Sequence, residues 1–279
     1  MGFKSKNMNY IFNIEYFENI EIPRSEKKAS EETIERIKRH NQGIEKFSFA
    51  GNEIPVAELQ GLSYEKRFSY HCFQLYTKYP GLLTGIGYPH EIKVDGAVKC
   101  GFLFDYVSGL PYLSGSSLKG MLRSYFPNSG RPDEKSKEYG AYIRGLLNKE
   151  DDFDLRGLED NIFEYNDVFL GAYPDVKGHN EGILKMEYIT PHEKFKDPNP
   201  ISILKVKPNV PFIFSFLLTD YFKDAKKIVG AEEKLDLFKK LILDMGIGAK
   251  TNVGFGRFSQ IKACENKKLQ DVEEGGGKR

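Results

Sequence analysis

Residues 246–258, GIGAKTNVGFGRF, guide the interpretation of the fold, because they combine four glycines and two cations with no acidic residue. An apolar pattern at helical spacing precedes them over residues 235–245 and predicts a helix. After the first glycines, Val253, Phe255 and Phe258 predict a strand. The expected order is therefore helix, glycine-rich loop, strand.

This loop has the chemistry that a phosphate group requires. Its glycines leave backbone N–H groups accessible, while Lys250, Thr251 and Arg257 add positive charge and a hydroxyl. It is not a Walker A motif, because Ala249 stands where that motif has glycine and the helix comes first. A structural turn and a phosphate-backbone site both remain open on the residues alone.

A second stretch with similar chemistry covers residues 110–126, LPYLSGSSLKGMLRSYF. Ser116 or Ser117 is predicted to cap a helix that presents free N–H groups, with Lys119 and Arg123 close by. An ordinary capped helix explains the same residues. The segment also fits the S-x-x-K motif of penicillin-recognising enzymes, but their S-D-N motif is missing, so that class is disfavoured.

Charge is segregated along the chain. The 279 residues carry a formal charge of +1, which excludes an overall basic field. Residues 133–164 nevertheless contain ten acidic and five basic residues, while the charged residues of both stretches quoted above are all basic. This pattern indicates a protein that binds a polyanion on one face. Widely spaced cysteines, no apolar signal core and no apolar run of roughly 18 residues predict a cytoplasmic protein without a membrane partner.

The remaining patterns predict an α+β fold. Strands are expected at residues 68–79, 168–173, 183–190, 201–206 and 211–219, and helices at 30–46, within 110–126 and at 232–245. Asp-Gly at positions 95 and 96 predicts a hairpin over residues 91–106. The order strand, helix, strands, helix, strand is that of a ferredoxin-like fold.

The chain is expected to have three parts. Residues 1–67 are predicted to form an N-terminal extension with one helix, residues 68–262 the main domain, and residues 263–279 a disordered tail. The acidic stretch at about residues 127–166 is predicted to be an insertion with one or two helices. One core between a sheet and two helices should contain Phe73, Leu75, Phe214, Phe216, Leu241 and Val253.

Two motifs in this order resemble the RAMP superfamily of CRISPR-associated proteins. The first is PYxxGSSLKGxLR within residues 110–126, and the second is GxGxKTxxGxGRF at residues 246–258. The segments DVFLGAYP, LKMEYITPH and NPISILKVKPNVPFIFSF, which lie between them, strengthen the resemblance over residues 68–262. Within the superfamily, the sequence is similar to the sixth-subunit family of the Cmr complex, the type III-B effector.

The resemblance implies a ferredoxin-like, RNA-recognition-type core in an assembly that carries a CRISPR RNA (crRNA) and targets complementary RNA. Such a subunit is expected near the 3′ end of the crRNA, against the repeating backbone RAMP subunit and a second head RAMP subunit. The hairpin at residues 91–106 would correspond to a thumb that protrudes towards the guide–target duplex. The residues implied in RNA binding are Gly115, Ser116, Ser117, Lys119, Arg123, Gly248, Lys250, Thr251, Gly254, Gly256, Arg257 and, by context, His90.

We expect a non-catalytic role without a cofactor or a metal. The histidines of the sequence are not paired at metal-ligand spacing, and only His90 lies in an RNA-facing context. The alternative is a metal-independent endoribonuclease of the same superfamily, in which His90 would act as general acid or base. For binding, we expect the cations of both motifs to face one RNA path, namely Lys119, Arg123, Lys250 and Arg257.

Overall fold

The computed structural model describes residues 3–21, 29–54, 68–85, 92, 94–127, 134–177, 182–189 and 200–261. In this part of the chain the helices are α1 (Met8–Asn13), α2 (Glu31–Glu45), α3 (Gly115–Arg123), α4 (Glu134–Leu147), α5 (Leu155–Asp160) and α6 (Ala231–Met245). The strands there are β1 (Ser69–Thr77), β2 (Val168–Pro174), β3 (Leu184–Ile189), β4 (Ile201–Val206), β5 (Pro211–Leu218), β6 (Tyr221–Lys223), β7 (Lys226–Val229) and β8 (Phe258–Ser259). The tail predicted to be disordered and His90 lie outside the described residues.

The main sheet is antiparallel, with the strand order β2-β5-β1-β8. Phe73 on β1 lies opposite Phe214 on β5, and their rings stack with centroids 5.2 Å apart. Phe216, two residues further along β5, meets Phe238 of α6 at 5.4 Å. Because side chains two residues apart share one face of a strand, this apolar face is buried beneath the helices. The α+β prediction is therefore confirmed.

The predicted core is correct except at one position. Phe73, Leu75, Phe214, Phe216 and Leu241 all belong to one cluster of buried side chains.

Val253, by contrast, is 64% exposed. The sequence placed Val253 on a strand, but Thr251–Val253 forms a 3-10 turn and the last strand, β8, begins only at Phe258. A turn of this kind does not alternate its side chains between two faces, so an apolar residue within it need not be buried.

The predicted hairpin at residues 91–106 is not formed in its described part. A turn does occur where Asp-Gly predicts it, since the Ala97 N–H donates to the Val94 carbonyl at 3.2 Å. After the turn, however, Val98 pairs with another strand and forms a parallel bridge with Ser202 of β4. The valines are buried in the main hydrophobic cluster, so their alternation reflects packing rather than pairing with each other.

The N-terminal segment packs on the same core as the sheet. The sequence predicted one helix before residue 68, whereas the described residues there contain both α1 and α2. Ser30 caps α2 as predicted, and its side chain accepts a hydrogen bond from the Thr33 N–H at 3.2 Å. Ile11 and Ile37 join the main hydrophobic cluster from the two helices.

The acidic stretch contains α4 and α5, as predicted, and α5 continues into a π-helical turn at Asn161–Asn166. A buried ion pair ties this stretch to α6. The ammonium of Lys234 lies 2.7 Å from Asp167 and donates to the amide oxygen of Asn161 at 2.6 Å. Asp167 also accepts from the N–H and hydroxyl of Thr219, at 3.0 and 3.1 Å. Among the described helices, none is long and apolar enough to cross a bilayer.

Candidate nucleic-acid interface

Main-chain hydrogen bonds determine the shape of the glycine-rich loop, residues 246–258. The Ile247 N–H donates to the Gly256 carbonyl at 2.9 Å, which closes the base of the loop. On one side, the Gly256 N–H donates to the Gly81 carbonyl at 2.9 Å, and the Ala249 N–H donates to the Leu83 carbonyl at 3.0 Å. The loop is therefore bound to the segment that follows β1.

The glycines of this loop are required by its backbone. Gly246, Gly248, Gly254 and Gly256 all have positive φ, which L side chains rarely adopt. A Cβ atom at Gly256 would lie 2.0 Å from the carbonyl oxygen of Ile247. The structural explanation therefore accounts for these glycines, and any role in binding comes from the groups they leave accessible.

Lys250 is the exposed cation of the loop. It adopts a left-handed conformation with φ 59° and begins the 3-10 turn Thr251–Val253. Among the described residues, its ammonium group has neither a hydrogen-bond partner nor an ion-pair partner. A cation with no partner inside the protein is available to an anion outside it.

The start of α3 forms the second side of the site. Its N-cap is Ser114, not Ser116 or Ser117 as predicted, and its hydroxyl oxygen accepts from the Ser117 N–H at 3.2 Å. The next residue packs closely on β2. A Cβ at Gly115 would lie 1.9 Å from the Phe169 carbonyl oxygen, so only glycine fits where the helix begins. Ser116 and Ser117 remain exposed.

A groove of about 340 Å³ lies between the start of α3 and the glycine-rich loop. It brings together Ser117, Gly248 and Thr251, which the sequence assigned to RNA binding from two distant motifs. Residues that sequence reasoning did not assign to the site also line it, including Thr84, Tyr112, Met121 and Tyr125. Met121 lies on α3 and Tyr125 just beyond its end, four residues apart in the predicted apolar pattern, which was the available signal.

Lys119 and Arg123 lie on the other side of α3. Residues two apart on a helix are rotated by about 200°, so these cations point away from Ser117 and Met121, which line the groove. The guanidinium of Arg123 instead contacts the carboxylate of Glu164 at 2.6 Å.

A second carboxylate reinforces this pairing. Arg123 also lies 3.5 Å from the carboxylate of Glu159, whose side chain is 1% exposed. The acidic insertion therefore neutralises Arg123, and the four predicted cations do not share one surface.

Arg257 differs both from Lys250, which has no partner among the described residues, and from Arg123, which is paired with carboxylates. Its guanidinium donates to the carbonyl of Asp244 in the last turn of α6, where a cation also complements the helix dipole. Burial raises the pKa of the Tyr125 phenol, and the positive charge of Arg257 acts in the opposite direction. Arg257 thus caps the helix, and its positive charge acts on Tyr125, which lines the groove.

The region that contains both motifs of the groove matches a known family. The model of the RAMP superfamily matches residues 74–259. CRISPR system Cmr subunit Cmr6 from Saccharolobus solfataricus strain P2 is 30% identical over 169 residues, or 58% of this chain and 49% of that protein. The match thus spans about half the length of that relative.

A solved structure shares the fold of this chain. A chain in the cryo-EM structure of the type III-B Cmr-β complex bound to cognate target RNA matches with a TM-score of 0.55 and 20% identity. That match covers 90% of this chain and 86% of the other. The crystal structure of Cmr6 from Pyrococcus furiosus gives a TM-score of 0.42 and 20% identity over 68% of this chain and 98% of that one. Since the family model covers well over half of the sequence, the chain belongs to the RAMP superfamily.

Proposed function

We propose that this chain is a non-catalytic, RNA-binding architectural subunit of a type III-B CRISPR (Cmr) RNA-targeting effector complex. The observation that carries the proposal is the groove in which both family motifs meet, with the exposed Lys250 beside it. A cation, hydroxyls and backbone N–H groups are the partners that phosphates use, and such contacts hold a nucleic-acid backbone without reading its sequence. The ligand would be the crRNA backbone near its 3′ end.

The arrangement of the core supports this assignment. The elements β1, α3, β2, β5, α6 and β8 occur in the order of a ferredoxin-like fold. The acidic insertion lies between α3 and β2, the pair β3–β4 between β2 and β5, and the pair β6–β7 between β5 and α6. The strand order β2-β5-β1-β8 agrees with an RNA-recognition-type core of that kind. In this arrangement the first motif begins the first core helix and the second follows the last one.

The similarity to Cmr6 and to a chain of the RNA-bound Cmr-β complex supports RNA and other Cmr subunits as the proposed partners. They are the crRNA, the target RNA, the repeating backbone RAMP subunit and a second head RAMP subunit. We place the whole assembly in the cytoplasm.

The described histidines support a non-catalytic role. His40 Nδ1 lies 2.9 Å from the Tyr16 carbonyl, and His71 lies 3.1 Å from the Glu232 carboxylate. Neither histidine lines the groove, so neither is placed to act on an RNA bound there. Their partners explain both residues as parts of the structure.

A salt series tests the proposal. The complex is reconstituted with wild-type chain or with Lys250→Ala, and crRNA binding is measured between low and high salt. Each phosphate contact on a single strand contributes about −0.7 to the slope of log K against log salt, so the variant should bind more weakly with a shallower slope. Guides of different sequence should be affected equally, because no base edge is read.

Lys119→Ala is the comparison for this series, because Lys119 is a cation of α3 that points away from the groove. It should leave the slope unchanged. If Lys250→Ala alters neither affinity nor slope, the loop does not bind the RNA backbone. If Lys119→Ala alters the slope as strongly, the RNA path crosses both sides of α3.

The endoribonuclease alternative has its own test. His90→Ala should leave cleavage of target RNA by the reconstituted complex unchanged. A general acid or base contributes about 10²- to 10⁴-fold, so a loss of that size would establish a catalytic role for His90.

A further inference from the structure

Tyr79 lies beside the glycine-rich loop with its side chain in solvent. It is 83% exposed, although it belongs to the large aromatic residues that proteins commonly bury at least in part. Among the described residues, its ring has no aromatic partner and its hydroxyl no hydrogen-bond partner. An isolated exposed tyrosine is common, so its surroundings decide its interpretation.

The backbone around Tyr79 is fixed to the loop from both sides. The Lys78 N–H donates to the Arg257 carbonyl at 2.8 Å. On the other side, Pro80 Cδ lies 3.5 Å from the position of a Cβ at Gly254. The ring is therefore carried by an anchored segment rather than by a free loop end.

The two chain segments that meet beside Tyr79 carry cations and no acidic residue. Lys78 and Lys250 are both exposed, and neither residues 78–83 nor residues 246–261 contain an acidic residue. An exposed aromatic ring beside cations is the combination that single-stranded nucleic acid uses. An apolar protein partner would leave these charges without compensation.

We infer that an unpaired RNA base stacks on the ring of Tyr79 while Lys250 contacts the phosphate backbone beside it. This inference rests on the proposed RNA-binding function and extends it to the form of the ligand, a single strand with at least one unstacked base. Stacking tolerates any base, since every base has a π-face. Tyr79 thus supplies affinity without sequence preference.

The experiment uses the full chain, or the reconstituted complex where the chain alone does not bind, with single-stranded RNA carrying 2-aminopurine. Stacking on Tyr79 should quench the 2-aminopurine fluorescence in the wild-type complex. Tyr79→Ala should weaken binding by roughly 5- to 150-fold, leave the salt slope unchanged and abolish this quenching. Tyr79→Phe should behave as wild type, while Tyr79→Leu, which keeps apolar volume without a π-face, should behave as Tyr79→Ala. An RNA with an abasic site at the stacked position should show no difference between wild type and Tyr79→Ala.

The matched control is Tyr165→Ala, because Tyr165 is 75% exposed but lies in the acidic insertion. It should not change RNA affinity. If wild type binds RNA and Lys250→Ala changes the slope while Tyr79→Ala has no effect, stacking is refuted and the proposed function stands. If Tyr79→Ala impairs only assembly with other subunits, Tyr79 is a protein contact. If no RNA binds in any arm, both proposals fail.

Discussion

The guanidinium of Arg123 lies 2.6 Å from the carboxylate of Glu164, so the acidic insertion holds a cation that the sequence assigned to RNA. Arg123→Ala should therefore lower the free energy of unfolding by about 1–3 kcal/mol, because the buried Glu159 carboxylate also loses this charge. Urea unfolding measures this change. Affinity for crRNA and its salt slope should stay at the wild-type values, and a shallower slope would show that Arg123 reaches the RNA.

Removing one charge of the Lys234–Asp167 ion pair should lower the free energy of unfolding more than removing both charges. Lys234 is 0% exposed, so Asp167→Asn leaves an ammonium group buried without its counter-charge. We expect a loss of about 3–5 kcal/mol in urea unfolding. The double variant Asp167→Asn/Lys234→Met should recover most of this loss. Equal losses in the single and double variants would contradict the role of the unpaired charge.

His40 should make the protein sensitive to mild acid. Burial lowers its pKa from the usual 6.5, and the charges of Arg36 and Arg39 act in the same direction. The hydrogen bond with the Tyr16 carbonyl and the charge of Glu15 oppose this shift. Because the folded-state pKa is depressed, the stability contribution is complete above the unfolded pKa and is lost as pH falls through the lower, folded value.

Urea midpoints measured from pH 7.5 down to pH 5 test this expectation. Carboxylates also titrate towards the acid end, so the informative quantity is the difference between wild type and His40→Gln. Wild type should lose more stability than the variant below about pH 6.5. Parallel curves would show that the imidazole does not contribute.

Gly115 and Gly120 on α3 provide a matched pair of substitutions. Gly115→Ala places a Cβ 1.9 Å from the Phe169 carbonyl oxygen, which forces α3 away from β2. We expect a loss of about 1–3 kcal/mol or more by thermal or urea unfolding. Gly120→Ala meets nothing within 4 Å and should stabilise the helix by up to about 1 kcal/mol. The same sign for both variants would contradict the close packing of α3 on β2.

Local signals predicted the elements that pack through a regular apolar face. β4 has the predicted bounds, β5 has the predicted start, and the cap of α2 at Ser30 agrees with the sequence. In each case one local feature, a short apolar run or a capping hydroxyl, is sufficient to specify the element. The sequence led us to expect the cations of both motifs on one surface. Parts of both motifs do line one groove, but Arg123 is paired with the acidic insertion instead.

Two predictions failed because the sequence around each residue does not determine its role. The cap of α3 is Ser114, and no local feature distinguishes it from the neighbouring serines. The orientation of Arg123 depends on carboxylates that lie further along the chain.

The hairpin of β6 and β7 was missed for a different reason. Asp224 and Ala225 adopt positive φ at its turn, whereas the usual signals are Asn-Gly or Asp-Gly. Without glycine, the turn could not be distinguished from an ordinary polar stretch.

The glycine-rich loop owes its shape to main-chain bonds, such as those from Ile247 to Gly256 and from Ala249 to Leu83. None of these bonds uses a side chain, while Asn252 and Val253 point into solvent. Cysteine or a photoreactive residue can therefore replace either one without rebuilding the loop. These two positions are natural attachment points for cross-linkers and fluorophores, which would report which molecule lies against this face in the assembled state.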